Sequence, residues 1–178
     1  MLSDTGRSYP FDSRGAGYGR GEGVTSVVLK RLHDALQAGD NVRAIIRNTA
    51  VSQDGKTNGI TLPSQQAQQR LQTSIYRRAG LDPGKTCYVE AHGTGTAAGD
   101  RAELHSIANV FCGNKKLRIN ELYLGSIKSN IGHLESSSGL AGFIKTILIL
   151  EKGLIPPMSD FQNLKAGLDL ETWKMKVR

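Results

Sequence analysis

A chain of 178 residues, 38% hydrophobic and 22% charged, is long enough for one domain with a real core and is too apolar to be a disordered segment. Its longest apolar run, Ile147 to Leu150, is far too short to cross a bilayer, and no basic stretch followed by an apolar one opens it as a secretion signal would. The formal charge of +7 comes in small basic groups such as Arg77-Arg78 and Lys115-Lys116, not interleaved with the few aromatics, which argues against nucleic-acid binding and for solvated faces or a docking surface for an acidic partner.

Two cysteines, Cys87 and Cys112, make no disulfide framework and suit a reducing, cytoplasmic setting. The first segment, FDSRGAGYGRGEG, has glycine at 15, 17, 19, 21 and 23. A dinucleotide fingerprint needs G-x-G-x-x-G between a strand and a helix, so this strict alternation reads instead as a hairpin or loop where backbones approach closely. Val24 to Leu29 reads as a strand, and a short helix carrying Leu32, Ala35 and Leu36 follows, ended by Gly39. A second strand is expected within Val42 to Val51, then the polar loop SQDGKTNG. Ser64 offers an N-cap for a helix with Ala67, Leu71 and Ile75 on one face, closed by Gly80 and Pro83.

A third strand spans roughly Thr86 to Ala91, with Cys87 inside it as a small buried residue. Asp100 and Glu103 then resemble a capping box, opening a helix with Leu104, Ile107, Ala108 and Phe111 at helical spacing and Gly113 at its end. A fourth strand, Leu122 to Ile127, leads through KSNIGHLE to a helix over Ser136 to Leu150 that is apolar nearly all round and is expected to be buried. Leu168 to Val177 offers a late strand. Strand and helix alternate four times, which predicts α/β architecture with a largely parallel or mixed sheet covered by helices.

Two histidines stand in corresponding places. His92 and His133 each follow a strand and precede a helix, 41 residues apart. In open α/β sheets ligands bind at the carboxyl ends of strands, so neighbouring strands would bring both imidazoles to one crevice. Two neutral imidazole N–H donors aimed at one thioester oxygen would stabilise an enolate, and one such donor is worth roughly 3–4 kcal/mol. Lys128, five residues before His133, would hold the ring neutral. Thr94 and Thr96 could offer hydroxyls to a polar linker. Spacing alone leaves the alternative open that each histidine is a loop residue with a local hydrogen bond. A zinc site from His92, His105, His133 and Cys112 matches no common ligand spacing.

VEAHGTGT, SIKSNIGHLE and the preceding GYGRGEG closely resemble β-ketoacyl synthases, above all the ketosynthase domains of type I polyketide synthases of fungal kind, and the resemblance runs from FDSRGAGYGRGEG to about Trp173. It implies a thiolase-like fold of αβαβα layers, a mixed sheet covered by helices, and a homodimer. Residues 1–40 would end the N-terminal half and 41–178 would form the C-terminal half without its last segment. The implied reaction is decarboxylative Claisen condensation of an acyl thioester with a malonyl-type extender. The substrate rides on the phosphopantetheine of an acyl carrier protein, with no directly bound cofactor or metal.

By motif position, His92, His133 and Lys128 match the catalytic residues. Thr94 and Thr96 match threonines that contact the pantetheine arm, and Asp100, Glu103, Asn130 and Glu135 are supporting residues. Glu135 is expected to pair with Lys128. Three departures accompany the match. The family's nucleophilic cysteine motif, well over a hundred residues before the first histidine, has no counterpart here, and neither Cys87 nor Cys112 has its context. Arg101 stands where the family usually has proline, and NLKAGLDLE replaces an asparagine-proline start. The match therefore begins and ends mid-domain, which predicts an exposed apolar patch. It leaves a non-catalytic remnant that binds a carrier arm or partner chain as the alternative to an enzyme segment.

Overall fold

A computed structural model describes residues 1–57, 59, 62–113 and 118–178. The basic pair Lys115-Lys116 and part of the predicted 52–59 loop lie outside the described residues. Helices α1 (Leu32–Gln37) and α2 (Gln65–Ala79) come first, then β1 (Tyr88–Glu90), α3 (Ala97–Phe111), β2 (Leu122–Gly125), the single turn α4 (Lys128–Ile131), α5 (Ser138–Lys152) and β3 (Met175–Val177). The three strands form one sheet in the order β1-β2-β3, and both pairings are parallel.

The pairing register decides what each face of the sheet carries. Val89 lies opposite Leu124, and Leu122 opposite Met175, so these side chains share one face. That face packs on α3 through Leu104, Ile107, Ala108 and Phe111, with Phe11 and Met158 completing the core. Tyr88, Glu90 and Gly125 fall on the opposite face, which α5 covers through Lys145 and Gly142. The sheet is thus a layer between two helices, and α2 packs outside α3, with Tyr76 edge-on to Phe111 at 5.2 Å.

Local signals hold at both ends of α2 and after α1. Ser64 caps α2, its hydroxyl accepting the Ala67 N–H at 3.2 Å, and Gly80 closes it in the left-handed region at φ +63°. Gly39, at φ +70°, follows α1. The alternating glycines of 15–23 are places of close approach. A Cβ on Gly15 would lie 2.7 Å from the Gly95 carbonyl oxygen, and one on Gly17 2.5 Å from that of Met1.

Several expectations fail. The runs 24–29 and 42–51 form no strand, and Val24 and Val28 are 99% and 98% exposed. A β-branched run becomes a strand only when another strand pairs with it, and none among the described residues does. The capping box is absent: α3 starts at Ala97 after Thr96, three residues before Asp100. Helix α5 is not buried all round; its covered line is Ser138, Gly142 and Lys145, while Leu140, Leu148 and Leu150 are exposed. The reason is that the sheet presents a carboxylate to it, which a lysine matches and a leucine cannot. Leu148 and Leu150 line clefts with Ile45 and Ile46, and these exposed residues make up the expected apolar face. Cys87 is exposed rather than buried, because β1 begins only at Tyr88 and leaves it on the sheet's rim.

Candidate active site

Parallel pairing of β1 with β2 places their carboxyl ends side by side. The chain leaves β1 through Ala91 into His92, and leaves β2 through Ser126 into the α4 turn, Gly132 and His133. The two imidazole rings lie 5.5 Å apart, nearly perpendicular at 86°.

Each histidine is held through its backbone. Glu103, on α3, accepts the N–H groups of His92 at 2.6 Å and Gly93 at 2.8 Å, one on each carboxylate oxygen. The Ser126 hydroxyl bonds the carbonyls of His92 and Gly93 at 3.3 and 3.2 Å, tying the two strand ends together. His133 joins the glycine-rich segment: its N–H reaches the Gly19 carbonyl at 2.8 Å, and its carbonyl accepts from Gly21 at 3.0 Å. Tyr18 packs a tilted ring 5.0 Å from that of His133.

The His133 tautomer follows from one contact. Its Nδ1 accepts the Glu135 backbone N–H at 2.9 Å, so in the neutral ring the proton sits on Nε2. Glu135 adopts φ +52° to aim that N–H, a left-handed conformation that costs a non-glycine residue roughly 1–2 kcal/mol. Contrary to the expectation from sequence proximity, its side chain pairs not with Lys128 but with Arg20 Nη1 at 2.9 Å, because the glycine-rich segment brings Arg20 alongside.

Lys128 is 4% exposed, and the charges acting on it are those of Glu103 and Glu90. Burial pulls its pKa below lysine's ordinary value and the two carboxylates oppose that pull. His92 is exposed by area, yet enough protein surrounds its ring that loss of water is the main reason its pKa falls to about 4, with repulsion from Lys128 and His133 adding to it. The same burial, with Lys128, lowers His133, against a smaller upward pull from Glu135. Both rings are therefore neutral near pH 7. Each can offer an N–H to a developing negative charge.

The hydroxyls of Thr94 and Thr96 lie 3.1 Å apart on the loop between His92 and α3, and Gly99 leaves room for Thr96. Asp100 is fully buried and braces this loop, accepting the Gly95 N–H at 3.0 Å and the Phe11 N–H at 2.9 Å, with Lys165 Nζ at 3.5 Å. Burial raises the pKa of both Asp100 and Glu103. Asn130 is exposed and accepts the Ser129 hydroxyl at 2.9 Å. His105 packs on Trp173 at 5.0 Å and Cys112 lies in the core, so the weighed zinc set does not converge. Sequence reasoning missed Glu90, Ser126, Tyr18 and Arg20 as members of the surroundings. All four lie inside the recognised motifs, so their positions were a signal even where their partners were not.

Comparison with known proteins shows the family. The family model described as β-ketoacyl synthase, C-terminal domain, matches residues 43–162, and that for the N-terminal domain matches residues 1–35. The chain is 58% identical over 177 residues to the highly reducing polyketide synthase sdnO of Sordaria araneosa and 57% identical to a highly reducing polyketide synthase of Aspergillus terreus. It covers 99% of itself but only 6% and 7% of those proteins, so it spans a small part of the curated relatives it matches. Among solved structures, the ketosynthase from module 6 of the bacillaene synthase of Bacillus subtilis 168 superposes with a TM-score of 0.94 at 38% identity, over 100% of this chain and 32% of that one. The module 1 ketosynthase of Bacillus amyloliquefaciens FZB42 does so at 0.91 and 33%, over 99% and 32%. The chain belongs to the β-ketoacyl synthase family, as a segment of the thiolase-like ketosynthase fold found in polyketide synthases.

Proposed function

We propose that in the intact ketosynthase this segment holds the malonyl-type extender and stabilises its enolate. The extender arrives as a thioester on the phosphopantetheine of an acyl carrier protein, with Thr94 and Thr96 along the arm. His92 and His133 donate N–H groups to the thioester oxygen. The bond to the free carboxylate breaks, carbon dioxide leaves, and its electron pair moves onto that oxygen as the enolate. The enolate carbon then attacks the carbonyl of an acyl group held as a cysteine thioester. A new carbon–carbon bond forms, and the thiolate departs when the tetrahedral intermediate collapses. Neutral donors suit this step, because a histidine that was already cationic would bind the extender's carboxylate and resist its loss.

The observation that carries the reading is the perpendicular imidazole pair at 5.5 Å, one ring with its Nδ1 occupied and its proton left on Nε2. Neither cysteine of this chain suits the acyl site. Cys112 is buried and its thiol pKa is raised by burial. Cys87 stands at the amino end of β1, five residues from His92 and so about 16 Å away along an extended strand. Like the carrier protein, a homodimeric assembly belongs to this proposal. In the full ketosynthase, His133→Ala is expected to slow carbon dioxide release from a malonyl thioester at least 100-fold, as loss of one oxyanion donor does. Undiminished release refutes the donor role.

A further inference from the structure

The sheet face turned away from the core holds a buried ionic group that the two-histidine chemistry leaves unused. Lys145 of α5 is 6% exposed, and its Nζ lies 2.8 Å from Glu90 Oε2. The Tyr88 hydroxyl donates to the same oxygen. Burial, with the carboxylate beside it, pushes that phenol's pKa up, so it remains a donor. The second oxygen, Oε1, accepts the Ile127 backbone N–H at 2.6 Å. Ile127 directly precedes Lys128 and opens the turn that leads to His133.

Space is reserved for this arrangement. A Cβ on Gly142 would stand 3.0 Å from Glu90 Cγ, and one on Gly125 would stand 3.0 Å from Lys145 Nζ and collide with the Tyr88 hydroxyl. A buried ion pair gives little net stability over well-packed apolar residues, so stability is a weak reason for placing one here. Its geometry offers another reason. One carboxylate reaches α5 through Lys145 and, through Ile127, the β2–α4 junction one residue before Lys128.

We propose that Glu90 is a positioning residue for the histidine pair: fixed by Tyr88 and Lys145, it anchors the Ile127 N–H that begins the Lys128 turn, and its charge holds Lys128 as a cation beside the imidazoles. The proposal rests on the enolate-stabilising reading of the site. The charges acting on Lys128 are Glu103 from α3 and Glu90 from β1, and Lys128 in turn acts on the rings of His92 and His133. Removing the Glu90 charge withdraws support from the Lys128 cation. Removing Lys145 has the opposite sign, since it takes away a competing cation and leaves the Glu90 charge to Lys128.

The test is the pH dependence of carbon dioxide release from malonyl-pantetheine by the full ketosynthase. Wild type, Glu90→Gln, Lys145→Met, the double variant and His133→Ala are compared, with Tm measured on each. The alkaline limb is expected to move down by about one pH unit in Glu90→Gln and up in Lys145→Met. The double variant should regain Tm while its limb stays below that of wild type. A uniform loss at all pH values in both single variants, with the profile's shape unchanged, overturns the positioning role and leaves Glu90 a packing residue. If a single variant does not fold, the double variant decides: recovered Tm with a wild-type limb overturns the proposal, and recovered Tm with a lowered limb supports it. Full activity in His133→Ala refutes the underlying reading instead, so the two failures are distinguishable.

Discussion

Glu103→Gln removes one charge and nothing of the side chain's shape, which makes it a sensitive probe of how the His92 loop is held. The native carboxylate accepts two backbone N–H groups, from His92 at 2.6 Å and Gly93 at 2.8 Å. Glutamine has one acceptor oxygen, and its amide nitrogen carries protons that face the second N–H. The second N–H is left facing a donor, while relief of the burial that raises the Glu103 pKa offsets the lost charge assistance of the other bond, so the net cost is about 1–3 kcal/mol. With Tm falling by about 2–4 °C per kcal/mol in a unit of this size, the expected drop is about 2–12 °C. The same loss should appear locally as faster amide exchange at His92 and Gly93, by about tenfold for every 1.4 kcal/mol. The assay is differential scanning calorimetry with hydrogen exchange resolved to the 90–96 segment. An unchanged Tm together with unchanged protection at these two amides would show that the carboxylate does not hold the loop.

Two further outcomes follow from other contacts. His92 has a folded pKa near 4 against an ordinary value of 6.5, so its neutral form stabilises the fold above pH 6.5, and that contribution is lost as pH falls from 6.5 toward 4; the fall in Tm across this window should be shallower in His92→Gln than in wild type, and equal slopes would refute the shift. Gly19→Ala drives a Cβ into the Gly6 carbonyl and to 2.9 Å from the Arg7 Cα, against backbone that cannot rotate away, and should cost about 1–3 kcal/mol while displacing the Gly19 carbonyl that accepts the His133 N–H; thermal unfolding with the decarboxylation assay checks both, and a neutral substitution would show that the approach is not tight.

What could be read along the chain was whatever acts over a few residues. The Ser64 cap, the glycine closures at 39 and 80, the helical stripe on α3 and the placing of His92 and His133 after strands all depend on neighbours within about one turn or one loop. The motifs GYGRGEG, VEAHGTGT and SIKSNIGHLE identified the family from the same kind of local pattern. The strands expected at 24–29 and 42–51 failed because a strand is defined by a partner, and propensity carries no record of one.

Which residues meet was settled only in three dimensions. Glu135 faces Arg20 rather than Lys128, Asp100 accepts from Phe11 across 89 residues, and Lys145 is buried because the β1–β2 register turns Glu90 toward α5. The sequence by itself determined the family, the ends of α2 and the place of the two histidines after strands; the tertiary structure decided their 5.5 Å approach, the His133 tautomer and the charges around Lys128. The physical reason is that conformational preference is local, whereas burial and electrostatics depend on which distant segments become neighbours.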